Sequence, residues 1–393
     1  MPKVPRIDAV KACAAPVDSP QPPTAVYVHV PFCLHRCGYC DFTLVASRDE
    51  LIPAFLTAIA NELATATRAW SVESIFIGGG TPTHLNPEQL DQLLGQVRTH
   101  FPLNAGGEFS IEANPDGLDD ERLDVLVRHG INRLSLGVQS FDNEVLKILE
   151  RRHTAEEAVE CIQRSAEFID NVSVDLIFGV PSQTVSSWSA TLRQATLLPV
   201  RHISTYGLTF ETGTDFTRRR RQGRLVALPD EIEREMYAAG IRQLAAAGFE
   251  HYEISNFAAP GFRCRHNQVY WDAREYFAFG PGAARYVNGV RSTNRRNVAA
   301  WIESWNRSEL CLQHFEELTD EQRAREAIML GLRLVDGFDL DSFEQRFGRT
   351  VEDLAGDALR RNLDTGQLAI TDNRLHLTDE GRFLADSVVV DFL

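Results

Sequence analysis

Residues 25 to 42 read AVYVHVPFCLHRCGYCDF, and this stretch decides the fold. Its apolar, β-branched start predicts a buried strand over residues 25–30. Three cysteines follow within eight residues, in a C-x3-C-x2-C arrangement made of Cys33, Cys37 and Cys40. The loop after the strand therefore places three thiols where they can converge on a metal centre.

Two metal centres fit this arrangement. A zinc site would normally add a fourth Cys or His, and His35 inside the loop is the candidate for that ligand. A cubane iron–sulfur cluster accepts three thiolates and leaves one iron open for a further ligand. The spacing favours a [4Fe-4S] cluster, with a zinc or purely structural site as the alternative.

From residue 25 onward, short β-branched runs alternate with longer helical stretches, which is typical of parallel βα units. Helix-start signals support this interpretation, because Asn86 precedes Pro87 and because Thr154 and Glu157 have capping-box spacing. Strands are predicted over residues 25–30, 72–77, 108–112, 133–137, 172–178 and 202–209. Six units are too few for a closed eight-stranded barrel. We therefore predict an α/β fold, an open TIM-like (β/α)6 partial barrel with its site at the strand C-termini.

The barrel is predicted to occupy residues 23–210, with further regions on either side. Residues 1–22, which include Cys13, show no apolar periodicity and are predicted to be a mobile leader. Residues 211–315 are predicted to be an additional α+β region with an amphipathic helix over residues 230–247.

Residues 316–393 have the sequence marks of a winged-helix-like domain. Thr319 and Gln322 have capping-box spacing ahead of a helix, and short strands over 368–370 and 374–377 flank a turn before a final helix. Several acidic side chains argue against DNA reading and favour a packing or partner-binding role: Asp353, Asp357, Asp372 and Asp379.

The composition limits the partners and the compartment. The 393-residue chain has a formal net charge of -15, which argues against nonspecific binding of nucleic acid or anionic lipid. The basic run over residues 218–221, with Arg224 after it, is interpreted as a solvated loop or helix start. Seven cysteines are an odd number and do not suggest a disulfide framework. With no apolar stretch long enough to span a bilayer, we expect a cytoplasmic protein.

The cysteine motif, with Tyr39 before its last Cys, resembles the signature of the radical S-adenosylmethionine (SAM) superfamily. The resemblance implies that the open iron is chelated by the amino and carboxylate groups of SAM, and that electron transfer can cleave SAM to a radical. Residues 78–82 read GGGTP and resemble the superfamily's methionine-binding segment. Glu112 is a carboxylate at an apolar strand end; helix capping is the alternative role, which Asn114 and Pro115 fit better.

From residue 25 to the C-terminus the chain resembles the coproporphyrinogen III dehydrogenase (HemN) group. This resemblance implies that the cluster-bound SAM, near Tyr39, is held by Tyr27, Gly79 and Glu112. A second SAM in that group corresponds here to Gly80, Thr81, Gln139, Arg151 and Asp175. Whether this chain binds a second SAM is open.

Two departures separate the chain from that enzyme group. Asp41 and Phe42 follow the cluster motif, where the enzymes typically carry another Cys at the second position. Residues 266–271 read HNQVYW and resemble the HNxxYW motif of the radical SAM haem chaperones (HemW). Since a neutral imidazole can ligate haem iron, His266 is the expected haem ligand, and Cys264 is the alternative.

These departures imply a haem carrier that delivers haem to haem-requiring proteins such as respiratory enzymes. Handover would occur on a homodimer or at a membrane surface, and the cluster with SAM would regulate or drive it. The alternative is a radical enzyme acting on coproporphyrinogen III or another tetrapyrrole, so enzymatic activity is left open. Cys161, on an apolar helix face, is interpreted as a core residue. His29 and Cys311 receive no role.

Overall fold

A computed structural model describes residues 23–66 and 68–393, and the predicted leader with Cys13 lies outside them. The strands are β1 (Ala25–Val30), β2 (Phe32–Cys33), β3 (Val45–Ala46), β4 (Val72–Gly79), β5 (Leu103–Ala113), β6 (Arg133–Gln139), β7 (Asn171–Phe178), β8 (His202–Gly207), β9 (Glu250–Glu253), β10 (Asn256–Ala258), β11 (Phe277–Phe279), β12 (Ala284–Val287), β13 (Val290–Asn294), β14 (Leu312–Glu317), β15 (Phe338–Asp339), β16 (Leu368–Thr371) and β17 (Arg374–Leu377).

The α-helices are α1 (Ile52–Leu63), α2 (Pro87–His100), α3 (Asp120–Arg128), α4 (Asn143–Ile148), α5 (Ala155–Phe168), α6 (Val185–Thr196), α7 (Asp215–Arg221), α8 (Asp230–Ala246), α9 (Arg265–Trp271), α10 (Val298–Asn306), α11 (Asp320–Gly331), α12 (Leu340–Phe347), α13 (Val351–Asp364), α14 (Asp379–Arg382) and α15 (Ala385–Val390). Among the residues described, no helix is both long and apolar enough to cross a membrane.

The predicted parallel barrel is confirmed. Strands β1, β4, β5, β6, β7 and β8 lie side by side in chain order and are all parallel. The predicted helix starts are also present, because Asn86 and Thr154 each form a capping box with the third residue of the helix that follows. Cys161 is buried in the main hydrophobic core, as expected from its helix face.

Three further strands extend the barrel sheet beyond the predicted six. β11 pairs in parallel with β1 at one edge, and the β9–β10 hairpin pairs antiparallel with β8 at the other. These strands are only three or four residues long, too short to produce a recognisable two-residue period in the sequence. The region after the barrel therefore completes the barrel sheet instead of packing only against it.

The C-terminal region has its own hydrophobic core around a three-stranded sheet in the order β15–β17–β16. The predicted hairpin is present, and Asp372 and Asn373 both have positive φ, as a tight two-residue turn requires. The predicted final helix is two short helices, because Leu384 between α14 and α15 has non-helical backbone angles. The domain boundaries stay a prediction.

Candidate cluster and cofactor site

The cysteine loop lies at the C-terminal end of the parallel sheet. Cys33 is on β2, which pairs with β3, and Cys37 and Cys40 lie on the loop between those short strands. The Arg36 guanidinium donates to the carbonyl oxygens of Cys40 and Leu44, which closes the loop. All three thiols line one cavity.

This cavity has a volume of about 470 Å³ and contains most of the predicted site. Besides the cysteines, it is lined by eight residues expected from the sequence: Tyr39, Gly79, Gly80, Thr81, Glu112, Gln139, Arg151 and Asp175. Tyr27 and His266 are not among its lining residues. The Tyr27 ring stacks on Phe76, and its hydroxyl bonds His29 Nδ1 at 3.0 Å, deeper in the barrel.

The polar lining follows from the two-residue period of the strands. On β6, Ser135, Gly137 and Gln139 line the cavity, whereas the apolar residues between them enter the hydrophobic core. Gln139 has a φ of +67°, a strained left-handed conformation for a residue with a side chain. The alternation is visible in the printed sequence of β6 and is the signal that marks Ser135 as a lining residue.

The glycine run is required by close backbone approach. Gly79 has a φ of +121°, and a Cβ there would lie 2.8 Å from the His29 ring. A Cβ on Gly80 would lie 2.7 Å from the Phe32 carbonyl oxygen and 3.0 Å from Cys33 Sγ. A side chain at Gly80 would therefore displace the start of the cysteine loop, and a side chain at Gly79 would displace the His29 ring.

Two half-buried carboxyl groups face the cavity. Glu112 accepts a hydrogen bond of 2.9 Å from the Gly79 backbone N–H. Burial raises the pKa of Glu112 to about 8, and the nearby Asp175 contributes to that rise. Burial also raises the pKa of Asp175, and it raises the pKa of the Cys33 thiol to about 11. Each of these groups would be stabilised in its ionised form by a bound cation or metal centre.

Asn114 has a different role from the helix cap considered for it. The next helix, α3, begins at Asp120 and is capped by the Asp119 side chain. Asn114 instead donates to Thr81 Oγ1 at 2.9 Å and accepts from Arg151 Nη2 at 2.6 Å. It is a link within the cavity wall, and its sequence context gives no sign of this.

Thr81 and Arg151 extend this link to the cysteines. Thr81 Oγ1 lies 3.2 Å from Cys33 Sγ, and Arg151 Nη1 donates to Cys37 Sγ at 3.7 Å. Arg151 also donates to the carbonyl oxygen of Gly137 at 2.8 Å. Arg151 therefore connects Cys37 to Asn114 and Gly137 in the cavity wall.

Glu150 is a second residue that sequence reasoning missed. Its carboxylate accepts from the Gly38 N–H at 2.8 Å and pairs with Arg219 at 2.6 Å. Arg219 belongs to the basic run over 218–221, so the interpretation of that run as merely solvated is wrong at this position. The Phe216 N–H also donates to the Gly38 carbonyl oxygen at 2.8 Å, so α7 supports the cysteine loop.

Comparison with known proteins identifies the family. Residues 27–195 match the Radical SAM superfamily, and residues 318–384 match the HemN C-terminal domain. The chain is 35% identical to the heme chaperone HemW of Bacillus subtilis, over 94% of this chain and 99% of that protein. The chain belongs to the HemW family of radical SAM proteins. It is also 33% identical to the Escherichia coli heme chaperone HemW, over 95% of this chain and 98% of that one.

The solved structure of Escherichia coli HemN, a coproporphyrinogen III oxidase and radical SAM enzyme, has the same fold. The two structures align with a TM-score of 0.83, covering 98% of this chain and 93% of HemN, at 22% sequence identity. At that identity the likeness establishes the fold alone. It confirms the predicted α/β, TIM-like architecture of this HemW-family chain.

The residues present fit the [4Fe-4S] cluster and SAM that the radical SAM family implies. Three thiols share a cavity with the glycine run and with the half-buried carboxyl groups of Glu112 and Asp175. Within residues 23–66 and 68–393, no three His, Cys, Asp or Glu side chains surround a single metal-ion position. A cubane cluster does not need its ligands to surround a single metal-ion position, because each thiolate binds a different iron atom.

The HNQVYW motif of this HemW-family chain lies away from the cavity. His266, near the start of α9, is 1% exposed and packs against Phe76 and Tyr27 inside the barrel. Its Nδ1 bonds Ser74 Oγ at 3.0 Å, and its Nε2 bonds the Tyr270 hydroxyl at 2.8 Å. Both imidazole nitrogens are therefore engaged, and haem ligation by His266 would require one of these bonds to break. Its role as a haem ligand stays a prediction.

Cys264, the alternative haem ligand, is also enclosed. It is fully buried, and its thiol donates to Glu108 at 3.5 Å. Burial raises the pKa of Cys264 to about 12, so the thiolate is strongly disfavoured. The Glu108 carboxylate also accepts from the backbone N–H groups of Arg265 and His266, which fixes the start of α9 against β5.

We expect His266 to make folding sensitive to acid. Burial lowers the pKa of His266 to about 3, whereas an unfolded histidine titrates near 6.5. Below about pH 6.5 the unfolded chain takes up a proton at this histidine and the folded chain does not, which lowers the free energy of unfolding. This loss of stability is absent above about pH 6.5 and grows as the pH falls toward 3. Between pH 6 and 4, the free energy of unfolding of the native chain, measured relative to His266→Gln, should fall by about 1.4 kcal/mol per pH unit.

Denaturant titrations of both proteins across this range provide the measurement, and the other titrating groups cancel in the difference. A pH-independent difference between the two proteins would show that His266 titrates normally and is not enclosed.

Proposed function

We propose that this chain is a haem chaperone that binds haem and passes it to haem-requiring proteins, using a SAM-bound [4Fe-4S] cluster. The observation that carries the proposal is its 35% identity, over nearly the full length of both proteins, to a relative named for haem chaperone activity. The cavity supports it, because the three cysteines and the expected SAM residues other than Tyr27 line the same space.

Cys33, Cys37 and Cys40 would hold the cluster in this proposal. When bound, the cluster and SAM supply one-electron chemistry that can cleave SAM. Gly79 offers a backbone unobstructed by a side chain, and Glu112 offers a carboxylate that would ionise beside a cationic group such as an amine. Tyr39, Thr81 and the other predicted lining residues complete the walls around SAM.

Delivery to respiratory haem proteins, on a dimer or at a membrane surface, is the finer part of the proposal. It rests on the resemblance of the HNQVYW segment to the chaperones' motif. A cytoplasmic location agrees with the six cysteines of the described chain being unpaired. The net charge of -15 makes nucleic acid an unsuitable partner.

The competing function is coproporphyrinogen III oxidation, which the shared HemN fold leaves open. Two observations favour the chaperone. Phe42, which lines the cavity and is 57% exposed, occupies the position of the additional Cys in the enzymes that the chain resembles. The relatives that are at least 33% identical over nearly the whole chain include haem chaperones of two bacteria.

We expect no conversion of coproporphyrinogen III to protoporphyrinogen IX by the reconstituted, reduced protein with SAM. The reason is that the cavity lacks the additional Cys of the enzymes, although it retains the SAM residues. Chromatography of the porphyrin products provides the measurement, and Escherichia coli HemN is the positive control. Product formation at a rate on the order of several turnovers per minute would favour the oxidase.

A further inference from the structure

A second cleft lies beside the HNQVYW motif and is separate from the cluster cavity. It has a volume of about 630 Å³, within the usual range of small-molecule sites. Its walls come from the end of α9, the β12–β13 strands and the helices α11 and α12. It therefore opens between the barrel, the small three-stranded sheet and the C-terminal region.

The cleft is basic in an acidic protein. Four arginines line it against two glutamates, a formal charge of +2 in a chain of net charge -15: Arg274, Arg291, Arg323, Arg346, Glu275 and Glu326. The Arg291 guanidinium forms ion pairs with the Glu316 and Glu326 carboxylates, at 2.6 Å each. The excess charge is therefore carried by the other three arginines.

These three arginines are available to an anionic ligand. Arg346 donates to the backbone carbonyl oxygens of Asp272 and Ala273 rather than to a carboxylate. Burial lowers the pKa of Arg346; Tyr286 and Asp272 oppose this, and the nearby charges of Arg274 and Arg323 add to it. Arg274 contacts the carboxylates of Glu73 and Asp272, and Arg323 contacts that of Asp320. These carboxylates are about half exposed or more, and such surface pairs are weak.

Aromatic side chains line the same cleft as these arginines. Tyr270 and Tyr276 lie edge to face, with ring centroids 4.7 Å apart, and Tyr276 pairs through its backbone with Tyr286. Phe347 and Met329 add apolar surface on the side of the C-terminal region. A ligand that suits both features is broad, flat and aromatic, and carries two carboxylates.

The cleft is connected to the predicted haem motif through one side chain. Tyr270 belongs to HNQVYW and lines the cleft, while its hydroxyl bonds His266 Nε2 at 2.8 Å. His266 is thus a positioning residue for Tyr270 in this conformation. The motif therefore presents its tyrosine, and not its histidine, to a bound molecule.

We propose that this cleft is the haem site, in which Arg323 and Arg346 bind the haem carboxylates and the porphyrin packs against Tyr276 and Tyr286. The proposal rests on the chaperone function and names its binding site. Haem is an aromatic macrocycle with two carboxylates, so it matches the charge and the walls of the cleft. In this proposal the cluster cavity binds SAM and does not bind haem.

The test compares haem with its dimethyl ester, which lacks the carboxylate charges, by absorbance titration of cluster-loaded protein. We expect Arg323→Ala/Arg346→Ala to lose about tenfold or more in haem affinity and little in affinity for the ester. Arg349→Ala/Arg360→Ala, which removes two exposed arginines of the same region, is the matched control and should bind haem normally. Saturating SAM should not displace the haem.

Asn288→Asp provides a second test that does not depend on the double variant folding correctly. Asn288 is exposed at the cleft and has a positive φ, which Asp tolerates, so the change adds one negative charge without disturbing the backbone. It should weaken haem binding several-fold and leave cluster content intact. Unchanged haem affinity in both variants, or displacement of haem by SAM, would overturn the site while leaving the chaperone function standing. If the native chain binds no haem, the proposed function itself fails.

Discussion

Cys37→Ala protein, reconstituted anaerobically, should contain almost no bound iron or sulfide, whereas the native chain should carry about four of each. The physical reason is that three thiolates are the minimum anchor for a cubane with an open iron. Arg151 donates to the Cys37 sulfur at 3.7 Å, which helps to hold this thiol at the cavity wall. Cys33→Ala and Cys40→Ala should give the same result in iron and sulfide assays.

Cys161→Ala is the matched control for the cluster assay. Cys161 is buried in the barrel core on α5, and its thiol lies near Ser165 instead of the cavity. This variant should retain the full cluster. Stoichiometric zinc in the native protein, or an intact cluster in Cys37→Ala, would contradict the assignment.

Arg133→Met should lower the free energy of unfolding of the barrel by about 3–5 kcal/mol. Arg133 is 2% exposed on β6, and its charge acts on several buried acids. Burial raises the pKa of Asp175 and of Glu112, and the Arg133 charge opposes both rises. Removing the cation therefore leaves these half-buried carboxyl groups without its compensating charge.

Denaturant unfolding followed by tryptophan fluorescence measures this effect, since Trp188 is buried in the barrel core. Arg128→Met, on the exposed surface of α3, is the control and should change stability by less than about 0.5 kcal/mol. A loss below about 1 kcal/mol in Arg133→Met would show that water or relaxation already compensates the buried acids.

Much of the fold is predictable from local sequence. The six barrel strands are long, and the capping boxes at Thr154 and Thr319 mark helix starts within a few residues. The strands that extend the sheet are different, because β11 joins it only through β1, and the short β9–β10 hairpin joins it only through β8; both partners are distant in sequence. Short segments of this kind have no local signal.

The candidate site also contains some residues that the sequence identifies and others that only the folded structure reveals. Cysteine spacing and the glycine run identify Cys33 and Gly80 because their chemistry is local to the motif. Glu150 supports the cysteine loop from 112 residues away, so only the folded chain reveals it. The HNQVYW segment is recognisable, but the sequence cannot show that His266 points into the barrel and bonds Tyr270.

Haem titration of anaerobically reconstituted protein, followed by ultraviolet–visible spectroscopy, tests the chaperone function most directly. We predict saturable binding of about one haem per chain. In His266→Ala, which loses the histidine that positions Tyr270 at the proposed haem cleft, the Soret band should weaken and shift while the iron–sulfur content stays intact. The reciprocal variant, Cys37→Ala, should lose the cluster and still bind haem. Absence of saturable haem binding by the native, cluster-loaded chain would contradict the assignment of this protein as a haem chaperone.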